Sequence, residues 1–112
     1  RLPNADAYLS DTEAHSIEHF LLEGFQRRLP GHFIGVGVMG CQTGFYLTLL
    51  NEGRRRGIED VLWRVFDDVL TATAVPYARI DQCGRWRNHD LALAQSVARE
   101  VLDCRAQWGE IA

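Results

Sequence analysis

Large apolar residues near the start of the chain recur at helical spacing: Ile17, Phe20, Leu21, Phe25 and Leu29, with Gly24 on the same stripe. Residues 1–10 read as an extended lead-in. Ser10, followed three residues later by Glu13, forms a capping box that starts a helix near Asp11, and Pro30-Gly31 stops it. His15, Glu18, His19 and Leu22 flank the buried stripe on one side, where a cleft can form. Phe33 to Met39 then alternates apolar residues with glycine, which predicts a strand approached closely by other groups. A tight turn at Gly40–Gly44 leads to a second strand over Phe45–Leu50. The segment 33–50 is therefore an expected antiparallel hairpin, closed by Asn51 to Gly53.

From Arg55 to about Thr73, the residues Ile58, Val61, Leu62, Val65, Phe66, Val69 and Leu70 fit the helical template closely. Pro76 marks the exit. Tyr77 to Gln82 alternates as a short strand would, and Cys83-Gly84 ends it. Asp90 caps a last helix that turns Leu91, Ala94, Val97, Ala98, Val101 and Leu102 inward. The order helix, hairpin, helix, strand, helix predicts an α+β fold, with an antiparallel sheet and helices packed on one face.

Composition adds limits. A chain of 112 residues is expected to be one domain. With 46% hydrophobic and 24% charged residues it reads as a soluble globular protein. A net charge of −3 supplies no global basic field for nucleic acid or anionic lipid. All twelve basic residues are Arg, and none of their clusters is spaced as a phosphate clamp; Arg54-Arg55-Arg56 reads as a solvated charge run. The longest apolar run is far short of the roughly 20 residues of a membrane span. Three widely spaced cysteines, Cys41, Cys83 and Cys104, do not make a disulfide framework. Free thiols in a reducing compartment are the expectation, and so a cytoplasmic location.

The first helix carries the distinctive chemistry. His15-Ser16-Ile17-Glu18-His19 is an H-x-x-E-H signature. Two histidines four apart stack one turn above each other, so two imidazoles can share a metal while Glu18 stays free as a base. A catalytic metal needs a third protein ligand and one open position. Cys83, before a glycine, and Cys41, in the glycine-flanked turn Met39–Gly44, are both open to that role. Cys41 near a divalent cation would also hold its thiolate near neutral pH. Cys104 reads as a packing residue on the last helix, and His32 and His89 as isolated structural histidines.

These residues, taken as His15-Ser16-Ile17-Glu18-His19, then Met39-Gly40-Cys41-Gln42-Thr43-Gly44-Phe45-Tyr46, then Gln82-Cys83-Gly84 with His89-Asp90-Leu91, resemble the S-ribosylhomocysteine lyases, the LuxS family of autoinducer-2 synthesis. Pro3-Asn4 is similar to the Pro-Asn pair that precedes the family's metal helix. The resemblance implies a metal held by His15, His19 and Cys83, natively Fe(II), with zinc or cobalt able to substitute. It implies Glu18 and Cys41 as the two acid/base residues. The expected reaction cleaves the thioether of S-ribosyl-L-homocysteine to L-homocysteine and 4,5-dihydroxy-2,3-pentanedione, the autoinducer-2 precursor of quorum sensing. A homodimer with the active site at its interface is also implied.

The chain departs from the family pattern in three places, one of them the family's substrate-binding Arg a little before the Pro-Asn pair, to which Arg1 is near but too closely spaced to be assigned. Gly35-Val36-Gly37-Val38 stands where the family carries an acidic residue and Ser-Pro, and the family's N-terminal segment is absent. Residues 1–112 are thus expected to form a single lyase-like domain lacking that segment. Two alternatives follow: a divergent relative acting on another sugar thioether, and an inverse-zincin metallopeptidase with Glu100 as third ligand.

Overall fold

The structure, a computed structural model, describes residues 1, 4–51 and 54–108. Pro3 of the Pro3-Asn4 pair and Glu52-Gly53 at the end of the hairpin lie outside them. Three helices and a two-stranded sheet make an α+β fold: α1 Asp11–Arg28, β1 Phe33–Val38, β2 Phe45–Leu49, α2 Arg55–Thr71 and α3 Leu91–Asp103, followed by a 3-10 turn at Arg105–Gln107.

α1 begins where its capping box sits. The Ser10 hydroxyl accepts from the Glu13 backbone and the Glu13 side chain accepts from the Ser10 backbone. Ile17, Phe20, Leu21, Gly24 and Phe25 are buried on its inner face, as the apolar period predicts. Asp11 and Glu13 in the first turn and Arg27 and Arg28 in the last complement the helix dipole. Arg27 and Arg28 also reach Asp68 at 3.0 and 2.6 Å, tying the end of α1 to α2.

The strands pair antiparallel, from Phe33 opposite Leu49 to Val38 opposite Phe45, with an irregularity between Phe33 and Gly35. Phe45, Leu47 and Leu49 alternate onto the core while Tyr46 faces out. The hairpin rests on α1, where the Phe25 and Phe33 rings stack at 5.9 Å. Val65, Phe66 and Val69 of α2 and Ala94, Val97 and Ala98 of α3 close the core from the other side. Among the described residues no helix is long and apolar enough to cross a membrane.

Gly24 is the point where α1 and α2 come closest. A Cβ there would lie 2.5 Å from one Val65 methyl and 2.8 Å from the other, and Val65 is itself buried. Gly24→Ala is therefore expected to destabilise the fold by about 1–3 kcal/mol, despite alanine's better helix propensity. Thermal denaturation of the variant checks this.

Three expectations are corrected. Residues 77–82 form turns rather than a strand. The segment's one large aliphatic residue, Ile80, is 75% exposed, and Tyr77 takes a left-handed backbone at φ 55°, so no apolar face exists to pair. Nothing lies within 4 Å of a Cβ built at Gly35 or Gly37, so these glycines do not mark a close approach. Cys104 caps the end of α3 and is exposed instead of packed.

Residues 72–90, between α2 and α3, thus contain no helix or strand. A loop that long in a small domain usually serves a site.

Candidate metal centre

That loop folds over the outer side of α1 and meets the two histidines. His15, His19, Cys83 and His89 bring their ligand atoms within 4.8 Å of one another. The imidazoles pack as a trio, with ring centroids 4.8 Å apart for His15 and His19, 4.0 Å for His15 and His89, and 4.3 Å for His19 and His89.

Backbone carbonyls of the loop set the tautomers of the helix histidines. His19 Nδ1 lies 2.7 Å from the Pro76 carbonyl oxygen and His15 Nδ1 lies 3.0 Å from that of Asn88. A carbonyl only accepts, so His19 Nδ1 carries the proton and its Nε2 lone pair is free for a metal; His15 Nδ1 also lies 3.3 Å from the Asn88 side-chain amide nitrogen, and the shorter contact to the carbonyl favours the same tautomer there. The Cys83 sulfur sits 3.4 Å from His15 Nε2. In a tetrahedral site with metal bonds of about 2.0–2.1 Å to nitrogen and 2.3 Å to sulfur, those two ligand atoms would be about 3.5 Å apart. The donor set of two imidazoles and a thiol in this arrangement fits a first-row divalent metal.

His89 was not expected among the cluster: His89-Asp90-Leu91 belongs to the family-like blocks, but the histidine itself stands alone in the chain, with no second ligand at metal spacing. It arrives because the loop closes six residues after Cys83. Its imidazole is held neutral at neutral pH, its pKa pushed down to about 4, first by burial and then by the neighbouring His15 and His19. His32 is elsewhere, bonded to the Leu50 carbonyl at 2.8 Å.

The Met39–Gly44 turn forms the opposite wall. Leu9 N–H donates to the Gln42 carbonyl at 2.8 Å and the Gln42 amide donates to Asp11 at 3.0 Å, pinning the turn to the start of α1. Gln42 takes a left-handed backbone at φ 60°, held by these contacts. An open cleft of about 550 Å³ results, lined by His15, Glu18, Met39, Gly40, Gln42 and Arg85 among others. Among the described residues nothing hydrogen-bonds or ion-pairs with the Glu18 carboxylate, so it stands free on this cleft. A second cavity of about 590 Å³, lined mostly by apolar residues such as Leu9, Phe45 and Val97, lies apart from the histidines.

Cys41 sits at the exposed tip of the turn, between two cleft-lining residues. Its sulfur is 3.0 Å from the Thr43 hydroxyl. That hydroxyl, and then the Thr43 backbone N–H, hold the thiol below its ordinary pKa by bonding the thiolate. Thr43→Val is expected to shift the pH profile of Cys41 alkylation upward and slow the reaction near pH 8. Peptide-resolved mass spectrometry after iodoacetamide treatment checks this without interference from Cys104.

Glu100, the alternative third ligand, pairs with Arg1 and is not part of the cluster. The ligand set that a metallopeptidase of the inverse-zincin type requires is therefore not assembled.

Comparison with known proteins agrees with this geometry. The family model described as S-ribosylhomocysteinase (LuxS) matches residues 1–111. The chain belongs to the LuxS family. An S-ribosylhomocysteine lyase of Helicobacter pylori is 43% identical over 109 residues, covering 97% of this chain and 69% of the relative. The lyase of Dichelobacter nodosus is 38% identical over 109 residues, covering 97% and 70%. That of Halobacillus halophilus is 43% identical over 97 residues, covering 87% and 63%. LuxS membership, read from the sequence blocks, thus rests on near-complete coverage of the chain.

Proposed function

We propose that this LuxS-family chain is a carbon–sulfur lyase that cleaves S-ribosyl-L-homocysteine to L-homocysteine and 4,5-dihydroxy-2,3-pentanedione. The observation that carries the reading is the convergence of His15, His19 and Cys83 beside the cleft that Glu18 lines. His15 and His19, with tautomers fixed through Nδ1, and Cys83 as thiolate would hold the metal. Fe(II) is the proposed native ion, with zinc or cobalt able to substitute. When bound, the metal supplies Lewis acidity that polarises the sugar carbonyl and acidifies the neighbouring C–H.

The protein's own groups move the protons. Cys41, biased toward thiolate by Thr43, takes a proton from a sugar carbon and returns it to the adjacent one, so the carbonyl migrates along the chain without net redox change. Glu18 removes the last proton, from the carbon next to the one bearing sulfur. The electron pair forms the new C=C bond and the C–S bond breaks, releasing homocysteine thiolate and an enol, which tautomerises by moving its hydroxyl proton to the terminal carbon and gives the dione. Each group used this way is worth roughly 10²–10⁴-fold in rate.

A homodimer is part of the proposal. Ile34 and Tyr46, 62% and 61% exposed on the hairpin, support an apolar surface suited to a second copy. The three free cysteines are consistent with the proposed cytoplasmic location.

The direct test incubates iron-loaded protein with S-ribosylhomocysteine under anaerobic conditions and measures free thiol. Stoichiometric homocysteine release is expected. No release from metal-replete protein would reject the reading, and release from a different sugar thioether alone would favour a divergent specificity linked to Gly35 and Gly37.

A further inference from the structure

The fourth member of the cluster differs from the other three in the hydrogen bonds that surround it. Ser16 lies between the two metal-motif residues His15 and Ile17 and is completely buried. Its hydroxyl oxygen accepts from the Asp90 backbone N–H at 3.1 Å. Among the hydrogen bonds of the described residues, the acceptor available to its proton is His89 Nδ1, at 3.2 Å. Neutral imidazole carries one N–H, so a proton received at Nδ1 places the ring's own proton on Nε2. That Nε2 lies 3.7 Å from the Cys83 sulfur, within reach of an N–H···S hydrogen bond.

The three imidazoles therefore divide two to one. His19 faces a carbonyl through Nδ1, and His15 has a carbonyl as the nearer of its two Nδ1 neighbours, at 3.0 Å against 3.3 Å for the Asn88 amide nitrogen, so both present Nε2 lone pairs. His89 faces a hydroxyl donor through Nδ1 and presents an N–H, which cannot ligate a metal.

We propose that His89 is a positioning residue: oriented by Ser16, it donates its Nε2–H to the Cys83 sulfur, fixing that ligand and reducing the charge it passes to the metal. The inference rests on His15, His19 and Cys83 being the metal ligands. Its consequence is that the cluster binds with three protein ligands, leaving the fourth position open for substrate. A thiolate that accepts a hydrogen bond donates less to its metal, so the metal remains a stronger Lewis acid. The Ser16 hydroxyl also explains why a polar side chain is buried in α1 at all.

Cobalt(II) titration of the full chain tests this, read by bound stoichiometry, affinity, ligand-field bands and the thiolate-to-cobalt charge-transfer band. Variants are His89→Leu, His89→Gln, Ser16→Ala and Cys83→Ser, with circular dichroism to verify folding. His89→Leu is expected to keep one bound cobalt with the same ligand-field envelope. Its affinity should be about 10–100-fold weaker, with the charge-transfer band moved to lower energy. His89→Gln, which retains an N–H donor, should recover much of both effects, and Ser16→Ala should show a smaller change of the same sign. Loss of one nitrogen ligand from the ligand-field spectrum in both His89 variants would overturn the proposal by making His89 a ligand. Unchanged affinity and band position in His89→Leu would overturn it by leaving His89 no role. Cys83→Ser tests the ligand assignment separately from the role of His89: if it keeps the wild-type charge-transfer band, Cys83 is not the sulfur ligand.

Discussion

Replacing Cys83 with alanine is expected to leave a folded protein that binds metal more than about 100-fold more weakly and releases no measurable homocysteine. Losing a supporting hydrogen bond typically costs 10–100-fold in metal affinity, and losing one of three ligands should cost more. Cys83 is half-buried in a loop, and its backbone N–H is bonded to the Arg79 carbonyl at 3.1 Å, so removing the sulfur leaves the turn intact. Cys41→Ala provides the contrast. It removes an exposed thiol from the far wall of the cleft, and should retain a full equivalent of metal while losing about 10²–10⁴-fold in turnover. Metal analysis and a thiol-release assay on both variants read the two roles apart. If Cys41→Ala loses the metal and Cys83→Ala keeps it, the sulfurs have been assigned the wrong way round.

Glu18→Gln should be the second most damaging change. The substitution preserves size and removes only the ability to accept a proton, at a residue on the cleft whose carboxylate is free of partners among the described residues. Metal content is expected to match wild type and KM to change little, while kcat falls by about 10²–10⁴-fold. The loss should fall on thiol release more than on exchange of sugar protons with solvent, because Cys41 still performs the earlier transfers. Following deuterium incorporation into the substrate alongside homocysteine release distinguishes the steps. Equal loss of both would move Glu18 from the elimination to the whole reaction.

Much of this was legible in the sequence because its signals are local. A capping box, a 3.6-residue apolar period and an H-x-x-E-H spacing each lie within one helix. The structure accordingly places α1, α2, α3 and the hairpin within a residue or two of where the pattern put them. The loop between α2 and α3 carried no such signal. Alternation over 77–82 resembled a strand, yet its two large hydrophobic side chains, Tyr77 and Ile80, are both exposed.

The same limit hid His89. Its place beside Cys83 depends on a tertiary path, set by the Pro76 and Asn88 carbonyls on the helix histidines and by Ser16 gripping Asp90. Spacing along the chain contains none of these contacts. It also could not decide between Cys41 and Cys83 as the sulfur ligand. That choice came from the family resemblance, and the fold supports it by placing Cys83 in the histidine cluster.

The proposed chemistry depends on a metal held by two imidazoles and one thiolate with a position left open. X-ray absorption at the edge of the bound iron or cobalt in the full chain tests it most directly. One sulfur at about 2.3 Å, two imidazole nitrogens at about 2.0–2.1 Å, and remaining scattering from light atoms that changes when substrate is added are expected. A shell of nitrogen and oxygen alone, or three imidazoles beside the sulfur with no response to substrate, would contradict it.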